Sequence, residues 1–207
     1  MGGVSAPALR RDNRLFVALD LPVAERRALA ERGRLMAAEL GGRPVPEANL
    51  HLTLAFLGRV PPERGDALLE ALAHALPGPA PRLEVAGTVA FPRAARATVA
   101  GVELRDPTGA LAALHGRVGR AVEAAADIVP DARALRPHVT LVRFRRPARL
   151  GGPTPADRER AFDCSRCALY DSHQVTGGPP RYQALLVATL EAPSGARDEP
   201  PSLDPDP

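Results

Sequence analysis

At 207 residues with 45% hydrophobic content, the chain is long enough to bury one ordinary core, or two small lobes sharing one, without disulfides. Its longest apolar runs, 15–19 and 184–190, fall far short of the roughly 20 residues of a membrane-spanning helix, and residues 1–13 lack the apolar centre of a secretory signal, so a soluble cytoplasmic protein is expected. The net charge is +3 and every one of the 27 basic residues is Arg; an Arg-, Ala-, Gly- and Pro-rich composition follows most simply from a GC-rich coding sequence, so Arg content alone is a weak pointer to nucleic acid.

In chain order, 1–13 reads as a flexible segment and Arg14–Asp20 (RLFVALD) as a first strand. Asp20 and Pro22 open a helix with Leu29, Gly33, Met36 and Leu40 along its core stripe, ended by Gly41 and Gly42. After a turn at 43–46, residues 50–57 (LHLTLAFL) alternate: Leu50, Leu52 and Leu54 on one face, His51, Thr53 and Ala55 on the other. Pro61 and Pro62 open a second helix with a Leu68, Leu69, Leu72, Leu76 stripe. Strands at 82–91 and 97–104 follow, joined by a Pro-Arg turn, then a third helix over 108–126 with Leu111, Leu114, Val118 and Val122 inward. Residues 137–144 (PHVTLVRF) repeat the alternation, with His138 and Thr140 on one face and Val139 and Leu141 on the other. A basic Gly/Pro-rich loop at 145–158 and strands at 163–170 and 182–191 complete one domain over 14–191; the tail 192–207 is too polar to order itself.

The repeated His-x-Thr is the chemical signal. A spacing of two on a strand puts both side chains on one face. Five His and eight Thr in 207 residues give about 0.2 accidental matches, so two matches inside two alternating strands are not background. Since 87 residues separate His51 from His138, the pattern points to an internal duplication whose two α+β lobes each send one strand into a shared cleft. Facing imidazoles, with unperturbed pKa values near 6.5, can serve as acid and base for phosphodiester cleavage. The Thr53 and Thr140 hydroxyls can donate to the non-bridging oxygens as charge builds in the transition state. The sequence contains neither a divalent-cation ligand cluster nor a Walker-type loop. His74, His115 and His173 have no comparable context.

Cys164 and Cys167 with His173 offer three ligands at most, where a structural zinc site needs about four. They also lead into a strand rather than a helix, against a thioredoxin-type motif. Both are expected to be small buried thiols.

NLHLTLAFLG and RPHVTLVRF resemble the paired motifs of the two-histidine (2H) phosphoesterase superfamily. The nearest branch is the RNA 2′,3′-cyclic phosphodiesterase family, also called the 2′-5′ RNA ligase family. RLFVALDLP near the start, Pro46, Glu47, Asn49 and Leu50 before the first motif, and LYDSH followed by RYQALLVATL extend the likeness over 14–191. The resemblance implies an α+β, two-lobed fold with pseudo-twofold internal duplication, its mostly antiparallel sheets flanked by helices around a central cleft. It implies hydrolysis of RNA 2′,3′-cyclic phosphate ends to 2′-phosphates, without metal or other cofactor, by a monomer needing no obligate protein partner. His51 would give the proton to the leaving 3′-oxygen and His138 would activate water. Arg143 matches an Arg that the family commonly keeps, as a phosphate or ribose contact, and Phe56 or Tyr170 is left for base stacking. The chain departs from the pattern in having no aromatic over 42–46 and Ala55 in place of a frequent Arg. Open alternatives are an enzyme of small cyclic nucleotides or 2′-5′ linkages, ligation by the reverse reaction, and a catalytically silent RNA-binding module.

Overall fold

The strand carrying His51 and the strand carrying His138 lie side by side, antiparallel, in the middle of a single sheet. The computed structural model describes residues 14–128, 135–151 and 161–192. Within them the elements are β1 (Arg14–Asp20), α1 (Val23–Leu40), β2 (Arg43–Pro44), β3 (His51–Arg59), α2 (Gly65–Ala75), β4 (Arg82–Phe91), β5 (Ala97–Arg105), α3 (Ala110–Ala126), β6 (His138–Ala148), β7 (Ala161–Asp163), β8 (Arg166–His173) and β9 (Arg181–Thr189). The strands order as β7-β4-β5-β6-β3-β1-β8-β9, with β2 added on β6.

The expected duplication is the unit β1-α1-β3 repeated as β5-α3-β6, with the pseudo-twofold axis between β3 and β6. The halves interleave. Helix α1 follows β1 but packs on β6, whereas α3 follows β5 and packs on β3, with α2 against α3. The last two strands, β8 and β9, complete the half that contains β1.

Only two residues join β7 to β8, yet six strand spacings separate them in the sheet order. A flat sheet would hold them about 29 Å apart at ~4.8 Å per strand, while three residue steps reach about 11 Å. The sheet therefore curls until its flanks meet. Hydrogen bonds from Cys164 N to Pro81 O (3.1 Å) and Leu190 N to Ser165 O (2.8 Å) tie that seam. This is why 163–170, one strand in the sequence reading, is split between β7 and β8.

The apolar stripes lie in one continuous core. Leu50, Leu52 and Leu54, Val139 and Leu141, Leu68, Leu72 and Leu76, and Leu111, Leu114, Val118 and Val122 are all buried, each full burial contributing about 1.5–3 kcal/mol. On α1, Leu29 and Gly33 are buried as expected, but Ala30 and Ala37 take the places given to Met36 and Leu40, which are half-buried. Gly33 lets α1 settle onto β6: a Cβ there would lie 3.2 Å from the Leu141 carbonyl oxygen. Pro22, not Asp20, stands at the start of α1. The expected turn at 43–46 contains β2, and 145–148 belong to β6 rather than to a loop. The flexible segment expected at 1–13, most of the tail expected at 192–207 and residues 152–158 of the basic loop lie outside the described residues. No described helix is long and apolar enough to cross a membrane.

Candidate active site

Leu52 on β3 pairs with Val139 on β6. One residue to either side, this register sets His51 opposite Thr140 and Thr53 opposite His138. Opposed residues on one face have Cβ atoms about 4.5–5.5 Å apart, and diagonal ones about 7–8 Å, so the histidines take a diagonal with a threonine at each other corner. All four line one cleft of about 700 Å³, a volume in the range of small-ligand sites.

Strict alternation would turn Arg143 away from His138 and Phe56 away from His51, since each stands five residues past its histidine. A β-bulge in each motif strand reverses this. Thr53 pairs with Ala18 and Ala55 with Val17, leaving Leu54 unopposed. Thr140 pairs with Gly101 and Val142 with Ala100, leaving Leu141 unopposed. Past the bulges Phe56, 77% exposed, and Arg143 look into the cleft, while Leu57, Val142 and Phe144 return to the core. The bulge at Leu141 depends on Gly101, where a Cβ would lie 2.0 Å from the Val139 carbonyl oxygen.

The two imidazoles are held alike. His51 Nδ1 lies 2.8 Å from Asn49 O, and His138 Nδ1 lies 2.7 Å from Arg136 O. A carbonyl only accepts, so each Nδ1 carries its hydrogen and leaves Nε2 as the working nitrogen. The His51 ring sits 4.9 Å from Phe16 and edge-on to Tyr182 at 5.4 Å. The His138 ring sits 4.6 Å from Phe91, and the Arg136 guanidinium lies over the same Phe91 ring, 5.0 Å from its centroid. Burial lowers the His51 pKa; the Asn49 carbonyl and Asp20 oppose this, and Arg143 and His138 add to it. Asp20, the cross-strand partner of His51, accepts the Tyr170 hydroxyl at 2.5 Å and pairs with Arg166 at 3.1 Å.

Among the described residues the cleft is lined by four arginines, Arg14, Arg43, Arg59 and Arg143, and by no carboxylate. Arg43 faces Arg143 across β2 and β6. Two like charges set opposite one another repel, and none of the four guanidiniums has an ion pair with a described residue. The arrangement is built for an anion, a feature that bulk Arg content could not show.

Of the residues singled out from the sequence, His51, Thr53, Phe56, His138, Thr140 and Arg143 come together here. Tyr170 does not line the cleft; it stacks on Phe16 at 5.4 Å and spends its hydroxyl on Asp20. Tyr182, given no role in the sequence reading, takes the wall instead. Asn49 was also missed: besides holding His51 through its carbonyl, it donates from Nδ2 to Pro180 O at 2.7 Å, fixing the β8–β9 loop that leads to Tyr182. Cys164 and Cys167 are buried thiols, their pKa values pushed up to about 12 by burial. His173 is at the far end of β8 from Cys167, bonded to Asp171 at 3.0 Å. Among the described residues no three His, Cys, Asp or Glu gather as a metal site.

Residues 19–100 match the family model described as LigT like phosphoesterase. The chain is similar to the RNA 2′,3′-cyclic phosphodiesterase of Escherichia coli (strain K12), 36% identical over 131 residues, which are 63% of this chain and 71% of that protein. It is also similar to the RNA 2′,3′-cyclic phosphodiesterase of Thermus thermophilus, 38% identical over 144 residues, 65% of this chain and 70% of that protein. The crystal structure of TT0787 of Thermus thermophilus superposes with a TM-score of 0.74 at 28% identity, covering 87% of this chain and 99% of that one.

Proposed function

Because the chain belongs to the LigT-like phosphoesterase family, we propose that it hydrolyses RNA 2′,3′-cyclic phosphate ends to 2′-phosphates by acid/base catalysis between His51 and His138. The observation that carries this reading is the diagonal pair of imidazoles, each with Nδ1 fixed on a backbone carbonyl and Nε2 left to work, in a cleft whose described lining holds arginines and no carboxylate.

In the reaction a water oxygen attacks phosphorus and passes a proton to the Nε2 of one histidine. The bond from phosphorus to the 3′-oxygen breaks, and that oxygen takes a proton from the Nε2 of the other. The phosphate stays on the 2′-oxygen. Following the family resemblance, His138 is the acceptor and His51 the donor. The hydroxyls of Thr53 and Thr140 donate to the two non-bridging oxygens, and Arg143 with Arg43 balances the charge. Burial holds His51 towards neutral in the free enzyme; an anionic phosphate in the cleft opposes this and favours the charged donor. Phe56, exposed in the cleft beyond the threonines, offers a face to the terminal base. The positive charge comes from guanidiniums, which supports a reaction independent of metal. The family resemblance further implies a monomer with no obligate protein partner, and an RNA substrate fits a cytoplasmic enzyme.

Product analysis on an RNA with a 2′,3′-cyclic end, with and without chelator, tests the proposal. A 2′-phosphate formed equally in both is expected, with His51→Ala and His138→Ala each about 10²- to 10⁴-fold slower. A 3′-phosphate product, loss of activity with chelator, or undiminished turnover by the histidine variants would overturn it.

A further inference from the structure

The cleft holds a second arginine pair for which the cyclic phosphate has no use. Arg14, the first residue of β1, is the direct cross-strand partner of Arg59, the last residue of β3, and both line the cleft. No described carboxylate neutralises either guanidinium. Arg14 spends only its backbone N–H, on Asp171 at 3.1 Å. Opposed like charges at the end of a strand pair weaken the pairing, so the arrangement makes sense where an anion is brought in from outside.

The position fits one class of anion. Arg59 stands six residues beyond Thr53 on β3, about 20 Å along the strand at ~3.3 Å per residue, or somewhat less across the bulges. Phe56 lies between them, exposed into the same cleft. The adjoining Gly58 has φ +66°, and a Cβ there would meet nothing within 4 Å, so the wall next to Arg59 is open. The path thus runs from the histidines, over an aromatic face, to a paired positive charge farther away than one nucleotide reaches. Stacking faces interleaved with cations along a groove are what a single strand of nucleic acid needs.

We propose that Arg14 and Arg59 form a subsite for a backbone phosphate of the RNA strand, several nucleotides to the 5′ side of the cyclic end. The inference rests on the function proposed above and sharpens its substrate class: an oligonucleotide end rather than a cyclic mononucleotide.

The test compares a 2′,3′-cyclic mononucleotide with oligoribonucleotides of two, four and six residues carrying the same end, for the wild-type protein, the double variant Arg14→Ala/Arg59→Ala and the charge-keeping Arg14→Lys/Arg59→Lys. Wild-type kcat/KM rises with length once the strand reaches the pair. The alanine variant loses at least tenfold more on the hexamer than on the mononucleotide, mainly in KM. Its slope of log kcat/KM against log salt becomes shallower by about 0.7 on the hexamer, the share of one phosphate on a single strand. The lysine variant keeps most of the length effect. Equal losses on all substrates, or a wild-type rate independent of length, would overturn the subsite while leaving hydrolysis standing. Failure of the wild-type protein on every substrate would instead sink the proposed function.

Discussion

Phe56 and Arg143 occupy the same place in the two halves of the sheet. Each stands five residues past its motif histidine, just beyond a bulge at Leu54 or Leu141, and their partners Phe16 and Val99 are equivalent positions of β1 and β5. The duplicated frame thus offers two matching sites with opposite chemistry, an apolar face on one side of the diagonal and a guanidinium on the other. A symmetric frame holding an asymmetric substrate predicts different kinetic signatures for the two. Phe56→Ala should raise KM on a base-bearing substrate by about 5- to 150-fold, the worth of one stacking contact of ~1–3 kcal/mol, with kcat nearly kept. Arg143→Ala should lower kcat as well, by about 10- to 150-fold, for a charge-assisted contact of ~1.5–3 kcal/mol. Equal patterns in the two variants would contradict the division of roles.

The pH dependence follows from the lowered pKa of His51. If His51 donates the proton, kcat/KM requires its charged form in the free enzyme. Its fraction protonated falls as pH rises through a pKa below 6.5, so the limb that falls with rising pH should lie below the midpoint of an unperturbed imidazole. Asp20 is among the groups that oppose the lowering. Asp20→Asn should therefore move this limb to still lower pH and leave the other limb in place. A pH profile in which Asp20→Asn moves instead the limb that rises with pH would reverse the roles of the two histidines.

Gly101 is the position where the fold leaves no latitude. An added Cβ would meet the Val139 carbonyl oxygen at 2.0 Å, its carbon at 2.9 Å and Thr140 Cα at 3.1 Å, all backbone, so β6 must move. Gly101→Ala should lower stability by about 1–3 kcal/mol as an overpacked site does and slow turnover by more than tenfold, because the strand that moves carries His138 and Thr140. The equivalent residue beside Thr53 is Ala18, fully buried, and the reverse change Ala18→Gly should cost about 1 kcal/mol or less with turnover kept within a few fold. Thermal melting beside kcat separates the two effects; an active, stable Gly101→Ala protein would show that the bulge does not aim the motif.

The parts of the site legible in the sequence are those set by local periodicity. His51 with Thr53 and His138 with Thr140 are visible because a strand repeats every two residues, and the leucine stripes behind them because burial imposes the same rule. What escaped depends on partners distant in the chain. The bulges at Leu54 and Leu141 exist only against Ala18 and Gly101, so the facing of Phe56 and Arg143 could not follow from counting. The pairing of Arg14 with Arg59 is likewise a register between separate strands. Tyr170 and Tyr182 are both aromatic, on β8 and β9, and only the packing of Tyr170 against Phe16 and Asp20 tells the occupied one from the one on the wall.

Asn49 joins two parts of the site that no motif connects. Its carbonyl oxygen fixes His51 Nδ1 and its side-chain amide donates to Pro180 O, in the loop whose Gly177, Gly178, Pro179 and Pro180 line the cleft ahead of Tyr182. Asn49→Ala keeps the backbone acceptor, so the His51 tautomer should survive, while the loop loses its anchor. One lost hydrogen bond of about 1 kcal/mol translates into roughly a fivefold rise in KM, with the pH profile of kcat/KM unmoved. Tyr182→Ala should reproduce the rise in KM, and adding it to Asn49→Ala should cost less than the product of the single effects, as coupled sites do. A shift of the pH profile in Asn49→Ala would mean that the side chain acts on His51 itself, and full additivity of the two variants would mean that the loop and the tyrosine are positioned independently.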